Sequence, residues 1–263
     1  MSAPATTAAP TRPAPGAVPS TRPGGAVDAP PPALELRNIR ASYGRIEVLH
    51  GVSLAVPAGS VFALLGPNGA GKSTTLKVAS GRLRPTQGCV HVAGRHINGA
   101  RPAAIAKAGI CSIPEGRGIF PNLTVTENLQ MMSFRGVKPH DVEERAYARF
   151  PRLGERRRQL AGTLSGGEQQ MLAMARAVTT DPVLLLLDEI SMGLAPLIVA
   201  QLYELVAQLA ASGIAIFLVE QFARTALRVA DYAAIMTQGR IEMVGEPSDV
   251  KAAVSAAYLG DTA

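Results

Sequence analysis

Short apolar runs alternate with segments of helical periodicity from residue 34 to the end of the chain. Runs of aliphatic residues bounded by glycine, proline or charged residues are typical of strands. The strands predicted on this basis are residues 34–39, 61–65, 89–92, 110–113, 183–187, 214–219 and 232–237. Three of these runs are almost continuously apolar, as expected of strands covered on both faces. The pattern therefore predicts an α/β fold with a largely parallel sheet.

The clearest helix follows Pro196, a residue suited to the first helical position, and ends before Gly213. Its apolar residues repeat at helical spacing and are expected to pack on the sheet: Ile198, Leu202, Leu205, Val206 and Leu209. Between residues 124 and 161 the strand pattern disappears, which indicates a helical insertion in the core. Two or three helices are predicted there, separated by Gly136, Pro139, Pro151 and Gly154.

The first 33 residues differ in composition from the rest of the chain. They contain nine of the 20 prolines and nine alanines, and their charged residues are Arg12, Arg22 and Asp28. Because they show neither the apolar region of a signal peptide nor a helical period, we expect a disordered tail at 1–33 and a folded domain at 34–263. Over the whole chain 47% of residues are apolar and 17% are charged, which is typical of a globular protein with a sizeable core.

The spacing of the cysteines, the length of the apolar runs and the net charge indicate which classes of protein are disfavoured. Cys89 and Cys111 belong to no CxxC or Cys/His cluster, so neither a disulfide framework nor a zinc site is indicated. The longest apolar runs are far shorter than the roughly 20 residues of a membrane-spanning helix. The formal net charge of +6 permits a polyanionic partner, but the densest basic run, 156–158, is interpreted as a solvated helix face.

The strongest chemical signal is a glycine-rich loop between a predicted strand and a helix-compatible run. The loop satisfies the pattern GxxxxGK[ST] and consists of Gly66, Pro67, Asn68, Gly69, Ala70, Gly71, Lys72, Ser73 and Thr74. Glycines allow backbone N–H groups to surround phosphate oxygens, and the N-terminus of the following helix favours anions. Lys72 is expected to reach the β and γ phosphates, and the Ser73 hydroxyl to bind Mg²⁺. A nucleoside triphosphate is therefore the predicted ligand.

A second signal is the apolar run 184–187, which ends in Asp188 and Glu189. In a parallel sheet, ligands bind where the carboxyl ends of the strands emerge. Asp188 is expected to hold Mg²⁺ and its hydration shell, and Glu189 to orient or deprotonate the water that attacks the γ-phosphate. An apolar strand that ends in two acids is often only a strand meeting solvent, so this interpretation depends on the phosphate loop.

The third signal is a second glycine-rich helix start, Leu164-Ser165-Gly166-Gly167-Glu168-Gln169. Taken alone, it is explained by a helix N-cap at Ser165 with a flexible lead-in. It also lies 23 residues before Asp188, and together with the other two motifs it makes the chain resemble the ATP-binding-cassette ATPases, whose signature is LSGGE. The resemblance extends over about residues 34–260.

The resemblance implies a P-loop NTPase (RecA-like) fold, with a parallel sheet core, an antiparallel β subdomain and an inserted helical subdomain. It also implies a head-to-tail dimer with two ATP molecules, each held by the phosphate loop of one subunit and the signature of the other. The signature residues carried over as nucleotide contacts are Ser165, Gly166, Gly167 and Glu168, and the cofactors are ATP and Mg²⁺. Tyr43 matches the aromatic residue that stacks on adenine, although a tyrosine near a glycine turn is as often simple packing.

Four positions differ from the usual pattern of this family. Glu115, in Ile113-Pro114-Glu115-Gly116-Arg117, stands where a glutamine usually touches Mg²⁺ and the attacking water, and it is expected to take that catalytic and metal-binding role. Gln221 stands where a histidine usually approaches the γ-phosphate, and a neutral orienting role is expected for it. Ile190 replaces a proline and Ala195 an aspartate. Because the phosphate-loop and strand-end residues are intact, we expect an active ATPase.

These variants occur together with further motifs that resemble one branch of the family. The motifs are Phe120 and the segments 123–129, 150–153, 155–157, 218–221 and 257–260. In this combination the chain is similar to the second ATP-binding subunit of branched-chain amino acid importers. The resemblance implies ATP-driven uptake of branched-chain or other hydrophobic amino acids, with the chain bound peripherally at the cytoplasmic face of the inner (plasma) membrane.

The implied assembly contains a paralogous ATP-binding subunit or a second copy of this chain, two transmembrane permease subunits and an extracytoplasmic solute-binding protein, and no nucleic acid. Phe120 and Leu123, beside the helical insertion, are either apolar contacts with a permease helix or ordinary core residues. Three alternatives stay open. They are an importer of urea, amides or aromatic acids, a soluble cassette ATPase associated with nucleic acid, and a regulatory nucleotide-binding module without turnover.

Overall fold

The computed structural model describes residues 30–116, 118–135 and 137–260. The predicted disorder of residues 1–29, the helix separator Gly136 and Arg117 of the quoted motif lie outside the described residues. Ala33 is already buried, and its carbonyl accepts a hydrogen bond from the backbone N–H of Ala93 at 3.2 Å. Packing therefore begins just before the predicted boundary at residue 34.

The strands of the described residues form two sheets. In chain order they are β1 (Leu34–Tyr43), β2 (Ile46–Val56), β3 (Val61–Leu65), β4 (Gln87–Val92), β5 (Arg95–His96), β6 (Ile110–Ile113), β7 (Leu184–Asp188), β8 (Ala215–Glu220), β9 (Tyr232–Thr237) and β10 (Arg240–Gly245). Among these residues, one sheet is antiparallel with the order β2-β1-β4-β5, and the other has the order β10-β9-β3-β8-β7-β6. In the second sheet pairing is parallel from β9 to β6, and β10 is antiparallel at one edge.

Helices cover these sheets and connect their strands. In chain order the described helices are α1 (Lys72–Ala79), α2 (Pro102–Lys107), α3 (Val125–Gln130), α4 (Pro139–Arg149), α5 (Pro151–Glu155), α6 (Gly166–Val178), α7 (Pro196–Ala211), α8 (Ala223–Ala226) and α9 (Pro247–Gly260), with 3₁₀ turns at Met131–Arg135 and Ala161–Thr163. Within the described residues, none of these helices is both long and apolar enough to cross a membrane.

Every predicted strand is present, and the described residues contain three further strands, β2, β5 and β10, that the sequence pattern did not predict. β2 is interrupted by His50 and Gly51 and is only half buried, so it lacks a continuous apolar run. β10 exposes alternate residues at the sheet edge, and β5 has only two residues. All three strands are paired on one side or are short, and for such strands tertiary pairing outweighs the local apolar pattern.

The segment between β6 and β7 contains the predicted helical insertion. Its two ends approach each other, because Thr124 pairs with Leu160 in an isolated antiparallel bridge. The predicted break at Gly154 is wrong, since this glycine lies inside α5. Gly154 faces Tyr147 of α4, where a Cβ would lie 3.4 Å from the tyrosine ring, an ordinary contact distance.

Helix α7 packs on the sheet with a face slightly different from the predicted one. Leu202, Val206 and Leu209 are buried as predicted. Ile198 and Leu205 are only partly buried, and Tyr203 and Ala210 complete the buried face instead. The burial of Tyr203 is possible because its hydroxyl has a hydrogen-bond partner inside the protein, as described below.

Phe217 on β8 is the basis of a stability prediction. It is fully buried, and its ring centroid lies 6.0 Å from that of Phe62 on β3. We expect Phe217→Ala to lower the free energy of unfolding by about 3–5 kcal/mol because it opens a cavity between central strands. Phe222→Ala serves as the matched control, since Phe222 is 62% exposed, and its effect should stay within about 0.5 kcal/mol. Equal effects of the two changes in urea denaturation would contradict the central position of β8.

Candidate functional site

The carboxyl ends of three adjacent parallel strands bring the predicted residues together. β8 pairs with β3 on one side and with β7 on the other, so that Leu65 lies opposite Glu220, and Val219 opposite Asp188. The phosphate loop follows β3, Gln221 follows β8, and Asp188 and Glu189 end β7. The sheet edge where these strands end is the usual position of a ligand site in such folds. Gln221 itself is exposed at this edge.

The phosphate loop owes its shape to two of its glycines. A Cβ at Gly66 would lie 2.2 Å from the carbonyl oxygen of Met236, a distance that excludes any larger residue. Gly71 caps α1 with φ +106°, a left-handed conformation that favours glycine. The turn after β9 also supports the loop, because the N–H of Gly239 donates to the carbonyl of Ala70 at 2.7 Å.

The outer part of the loop faces solvent, and its inner part is buried. Gly66 is partly buried, Pro67, Asn68 and Gly69 are exposed, and Ala70, Gly71, Lys72 and Thr74 are buried. A Cβ added to Gly69 would meet no atom within 4 Å. The loop therefore presents an open backbone surface to an incoming phosphate chain while its anchoring residues are fixed in the core.

The ammonium group of Lys72 lies inside this loop. Lys72 is 4% exposed, and its Nζ donates to the carbonyl oxygens of Gly66 at 2.9 Å and Pro67 at 3.1 Å. The same nitrogen lies 3.5 Å from Oε1 of Glu189. The positive charge is thus held between the phosphate loop and the residue predicted to act on the attacking water, as a contact with the γ-phosphate requires.

The structure joins Ser73 to Asp188 and brings further carboxylates to the same cleft. The Ser73 hydroxyl donates to Oδ1 of Asp188 at 3.2 Å. Glu115, Asp188 and Glu189 line one cleft at this sheet edge. Burial raises the pKa of Asp188; the hydrogen bond from Ser73 opposes the shift, and the negative charges of Glu189 and Glu115 add to it. Hydroxyl and carboxylate oxygens are the ligands that Mg²⁺ prefers, so the contact between Ser73 and Asp188 fits that ion.

Glu189 has an unusual backbone conformation for its residue type. Its φ is +46°, in the left-handed region, and its N–H donates to the carbonyl of Val219 at 2.9 Å. Such a conformation costs about 1–3 kcal/mol and persists where the surrounding structure enforces it. The neighbouring Ile190, in place of a proline, is 3% exposed and belongs to the core. The backbone that carries the Glu189 carboxylate is therefore held by its contacts with β8.

The signature residues form the N-terminus of α6. Ser165 is the N-cap, and its hydroxyl accepts from the N–H of Glu168 at 3.4 Å, while Oε2 of Glu168 accepts from the N–H of Ser165 at 2.9 Å. Burial acts to raise the pKa of Glu168, but hydrogen bonds from Ser165 and the charge of Arg156, at 3.0 Å, lower it overall. Gly167 is required by packing, since its Cβ would lie 2.6 Å from Ile198. Ser165 is exposed and Gly166 partly so.

The signature and the phosphate loop of one chain lie at different places on the sheet. Helix α6 packs on β6 and on the helical insertion, whereas the phosphate loop follows β3. β8 and β7 stand between β3 and β6, and three strand spacings correspond to about 14 Å. A single nucleotide phosphate therefore does not bridge these two glycine-rich helix starts within one chain.

Tyr43 lies beside the helix that follows the phosphate loop. It ends β1, is 44% exposed, and its hydroxyl accepts from Nζ of Lys77 on α1 at 3.3 Å. The same nitrogen lies 5.5 Å from the centre of the tyrosine ring. An exposed aromatic face one helical turn beyond Lys72 suits a base that is attached to bound phosphates.

Two polar residues of the site region were missed by the sequence analysis. Glu220 is 1% exposed, and it accepts hydrogen bonds from the Tyr203 hydroxyl at 2.8 Å and the Ser191 N–H at 3.2 Å. Gln170 on α6 is 4% exposed and lines the cleft that contains Glu115 and Asp188. Glu220 had a readable signal, because it is a carboxyl at the end of a strand covered on both faces. Gln170 had none, because polar residues are common on helices.

Comparison with known proteins agrees with this geometry. A family model described as "ABC transporter" matches residues 49–191. The chain is 44% identical to the high-affinity branched-chain amino acid transport ATP-binding protein BraG of Pseudomonas aeruginosa, over 86% of this chain and 99% of BraG. It is 36% identical to the Nod factor export ATP-binding protein I of Cupriavidus pinatubonensis, over 82% of this chain and 67% of the relative. The ADP conformation of MJ1267, an ATP-binding cassette of an ABC transporter, superposes with a TM-score of 0.77 at 27% identity, covering 88% of this chain and 99% of that one.

The parallel sheet, phosphate loop and strand-end carboxylates define an ATP-binding protein of the P-loop NTPase class, which confirms the predicted fold. The match over residues 49–191 and the similarity over nearly the whole length of BraG identify the family within that class. The chain belongs to the ABC transporter family, as an ATP-binding cassette.

The separation of the two glycine-rich helix starts predicts the effect of a bulky cation at Ser165. We expect Ser165→Arg to leave ATP affinity of the isolated chain within about twofold and to lower ATP turnover of the assembled transporter at least tenfold. Ser212→Arg is the matched control, because Ser212 is also an exposed serine at a helix end, the C-cap of α7, but precedes β8 and so lies at the opposite sheet edge. The comparison combines equilibrium binding of ATP with steady-state ATPase rates. A Ser165→Arg chain that loses ATP affinity on its own would show that the signature acts within one subunit.

Proposed function

We propose that the chain is the ATP-hydrolysing subunit of an importer for branched-chain or other hydrophobic amino acids. The observation that supports hydrolysis is the convergence of Lys72, Ser73 and Asp188 with Glu189 at one sheet edge. The similarity to BraG, whose length the chain covers almost completely, supports the solute class. The similarity to a Nod factor export protein is lower and covers less of that relative.

The residues of the site have separate tasks in this proposal. The backbone of the phosphate loop and Lys72 bind and orient the phosphates, and the helix N-terminus adds favourable electrostatics. Glu189 accepts the proton of the water that attacks the γ-phosphorus, as the bond to the ADP oxygen breaks. Glu115 and Gln221 orient that water and the γ-phosphate from either side. Tyr43 stacks on the adenine ring.

Mg²⁺ would be held by Ser73 and Asp188, with Glu115 as a further ligand, and when bound it neutralises phosphate charge. The chain's own residues prepare this position without it, since Ser73 already orients the Asp188 carboxyl. The ammonium group of Lys72 lies 3.5 Å from the Glu189 carboxylate. Its positive charge, beside the residue that acts on the attacking water, would favour the negative charge that develops in the transition state.

The separation of the phosphate loop from the signature within one chain supports a second ATP-binding subunit as one of the partners. A second ATP-binding subunit, either a paralogue or another copy, supplies the signature to the nucleotide held by this chain. Two transmembrane permease subunits bind the helical insertion and Phe120, which is 43% exposed. An extracytoplasmic binding protein delivers the solute. In this assembly the chain is peripheral, at the cytoplasmic face of the membrane.

The division of tasks between Lys72 and Glu189 gives a direct test of hydrolysis. Lys72→Ala should abolish ATP binding, because the ammonium contacts phosphate in the ground state. Glu189→Gln should keep ATP affinity within about threefold and lower the turnover rate at least a hundredfold, because the carboxylate acts only when water attacks. Binding of ATP and release of phosphate are measured on the same preparations. A Glu189→Gln protein that hydrolyses ATP at the wild-type rate would refute the general-base role.

The solute is tested in membranes that contain the complete transporter. A tagged copy of the full-length chain is used to isolate its permeases and the associated binding protein, whose bound solute is then identified. We expect leucine, isoleucine or valine to be bound and to be taken up in an ATP-dependent manner that Glu189→Gln abolishes. Urea, an amide or an aromatic acid as the transported solute would contradict the amino acid assignment and leave the ATPase role intact. Salt-dependent binding to nucleic acid without any permease would contradict both.

A further inference from the structure

The buried carboxyl group of Glu220 has no task in the chemistry proposed above. Glu220 ends β8 directly before Gln221, and at 1% exposure it is more deeply buried than Asp188 at 8%. Burial raises the pKa of Glu220, while hydrogen bonds from Tyr203 and Ser191 oppose that shift. A carboxyl group is costly to bury, and it is tolerated only when hydrogen-bond donors meet it. The identity of those donors therefore indicates what the group does.

The donors to Glu220 come from two other segments of the chain. The Tyr203 hydroxyl, on α7, donates to Oε1 at 2.8 Å, and the backbone N–H of Ser191, in the loop after β7, donates to the same oxygen at 3.2 Å. One carboxyl group thus joins the end of β8, the loop after β7 and the middle of α7.

The contact with Ser191 is the second of two ties between the same pair of segments. The first is the hydrogen bond from the N–H of Glu189 to the carbonyl of Val219, at 2.9 Å. On the β7 side the two contacts lie two residues apart, at Glu189 and Ser191, and on the β8 side they lie at the adjacent residues Val219 and Glu220. The left-handed backbone at Glu189, with φ +46°, lies within this doubly tied segment. The carboxyl group of Glu220 therefore helps to hold a backbone segment that contains a left-handed, non-glycine residue.

We propose that Glu220 is a positioning residue for ATP hydrolysis. Through Ser191 it fixes the backbone that carries Glu189, and through its place in β8 it sets the position of Gln221 relative to that backbone. Tyr203 holds the Glu220 carboxyl group in the required orientation from α7. The inference rests on the proposed function, because it concerns the same site, and it assigns Glu220 no contact with the nucleotide.

A positioning role and a merely structural role predict different kinetics. The hydrogen bonds that Glu220 accepts from Tyr203 and Ser191 are separate from those that Lys72 donates to the phosphate loop. A change in Glu220 should therefore lower kcat and leave the KM for ATP almost unchanged, since binding depends on the loop and hydrolysis on Glu189. A merely structural role would lower the amount of folded protein and leave kcat per folded molecule unchanged.

The experiment compares variants that remove donors or the acceptor with little change in volume. The assembly that co-purifies with the full-length chain is assayed for kcat, KM for ATP and thermal unfolding. Tyr203→Phe removes one donor, and we expect kcat to fall about three- to tenfold with KM within about twofold. Glu220→Leu should lower kcat more than tenfold. Glu220→Gln should stay within about threefold of wild type, because the amide oxygen still accepts from Tyr203 and Ser191.

Tyr232→Phe is the matched control for Tyr203→Phe. Tyr232 is also buried, at 5% exposure, and it begins β9 opposite Phe62, at the sheet edge away from the site. The kcat of this variant should remain within about twofold of wild type. Equal kcat values for Tyr203→Phe and Tyr232→Phe would overturn the proposal. So would a rise in KM without a fall in kcat, or a failure of Glu220→Gln to restore the rate lost in Glu220→Leu.

A double variant separates this proposal from the proposed function. If Glu220 acts through Glu189, Tyr203→Phe should not lower the residual rate further in a Glu189→Gln background. A full additional loss in that background would refute action through Glu189 and leave the ATPase role standing. A wild-type assembly that hydrolyses no ATP would refute the ATPase role itself, before any variant is compared, and the positioning role with it.

Discussion

The parallel pairing of β3, β8 and β7 is the constraint on which the rest of the structure depends. It places the phosphate loop, Gln221 and the Asp188-Glu189 pair at one sheet edge. The three strands are buried, so their register is fixed by packing on both faces. Because the register is fixed, the 3.2 Å contact between Ser73 and Asp188 and the 3.5 Å approach of Lys72 to Glu189 need no further adjustment. Site geometry is thus a direct consequence of sheet packing.

The same sheet order separates the signature from the phosphate loop of one chain, which supports the proposal that a second subunit completes the site. The signature helix packs at the β6 edge, and two strands separate it from β3. The capping box at Ser165 makes this helix start rigid in its own subunit, with Glu168 also paired to Arg156. Ser165 itself remains exposed. A preformed, exposed helix start that does not reach its own nucleotide is suited to bind the nucleotide of a neighbouring subunit.

The sequence was most informative where local pattern and tertiary role coincide. In the buried strands and the phosphate loop, a clear local pattern coincides with a clear tertiary role. The strands β3, β6 and β9 have the predicted bounds. β2 and β10 were missed because each is held by pairing with a neighbouring strand along one edge and has no continuous apolar run. Glu220 ends a buried strand, which is a readable signal, but its role depends on Tyr203, which is distant in sequence. Gln170 was missed because a polar residue on a helix is not distinctive. The interpretation of Ser165 as a helix cap and its prediction as a nucleotide contact are compatible, since the cap is what orders the helix start.

The central claim is that ATP is hydrolysed at a site completed by a second subunit. It is tested most directly by the specific ATPase activity of the ATP-binding subunits across protein concentrations that span their association, with the oligomeric state followed by light scattering. The account predicts that activity per subunit rises with concentration and reaches a plateau as dimers form. Constant activity per subunit down to concentrations at which only monomers are present would contradict it.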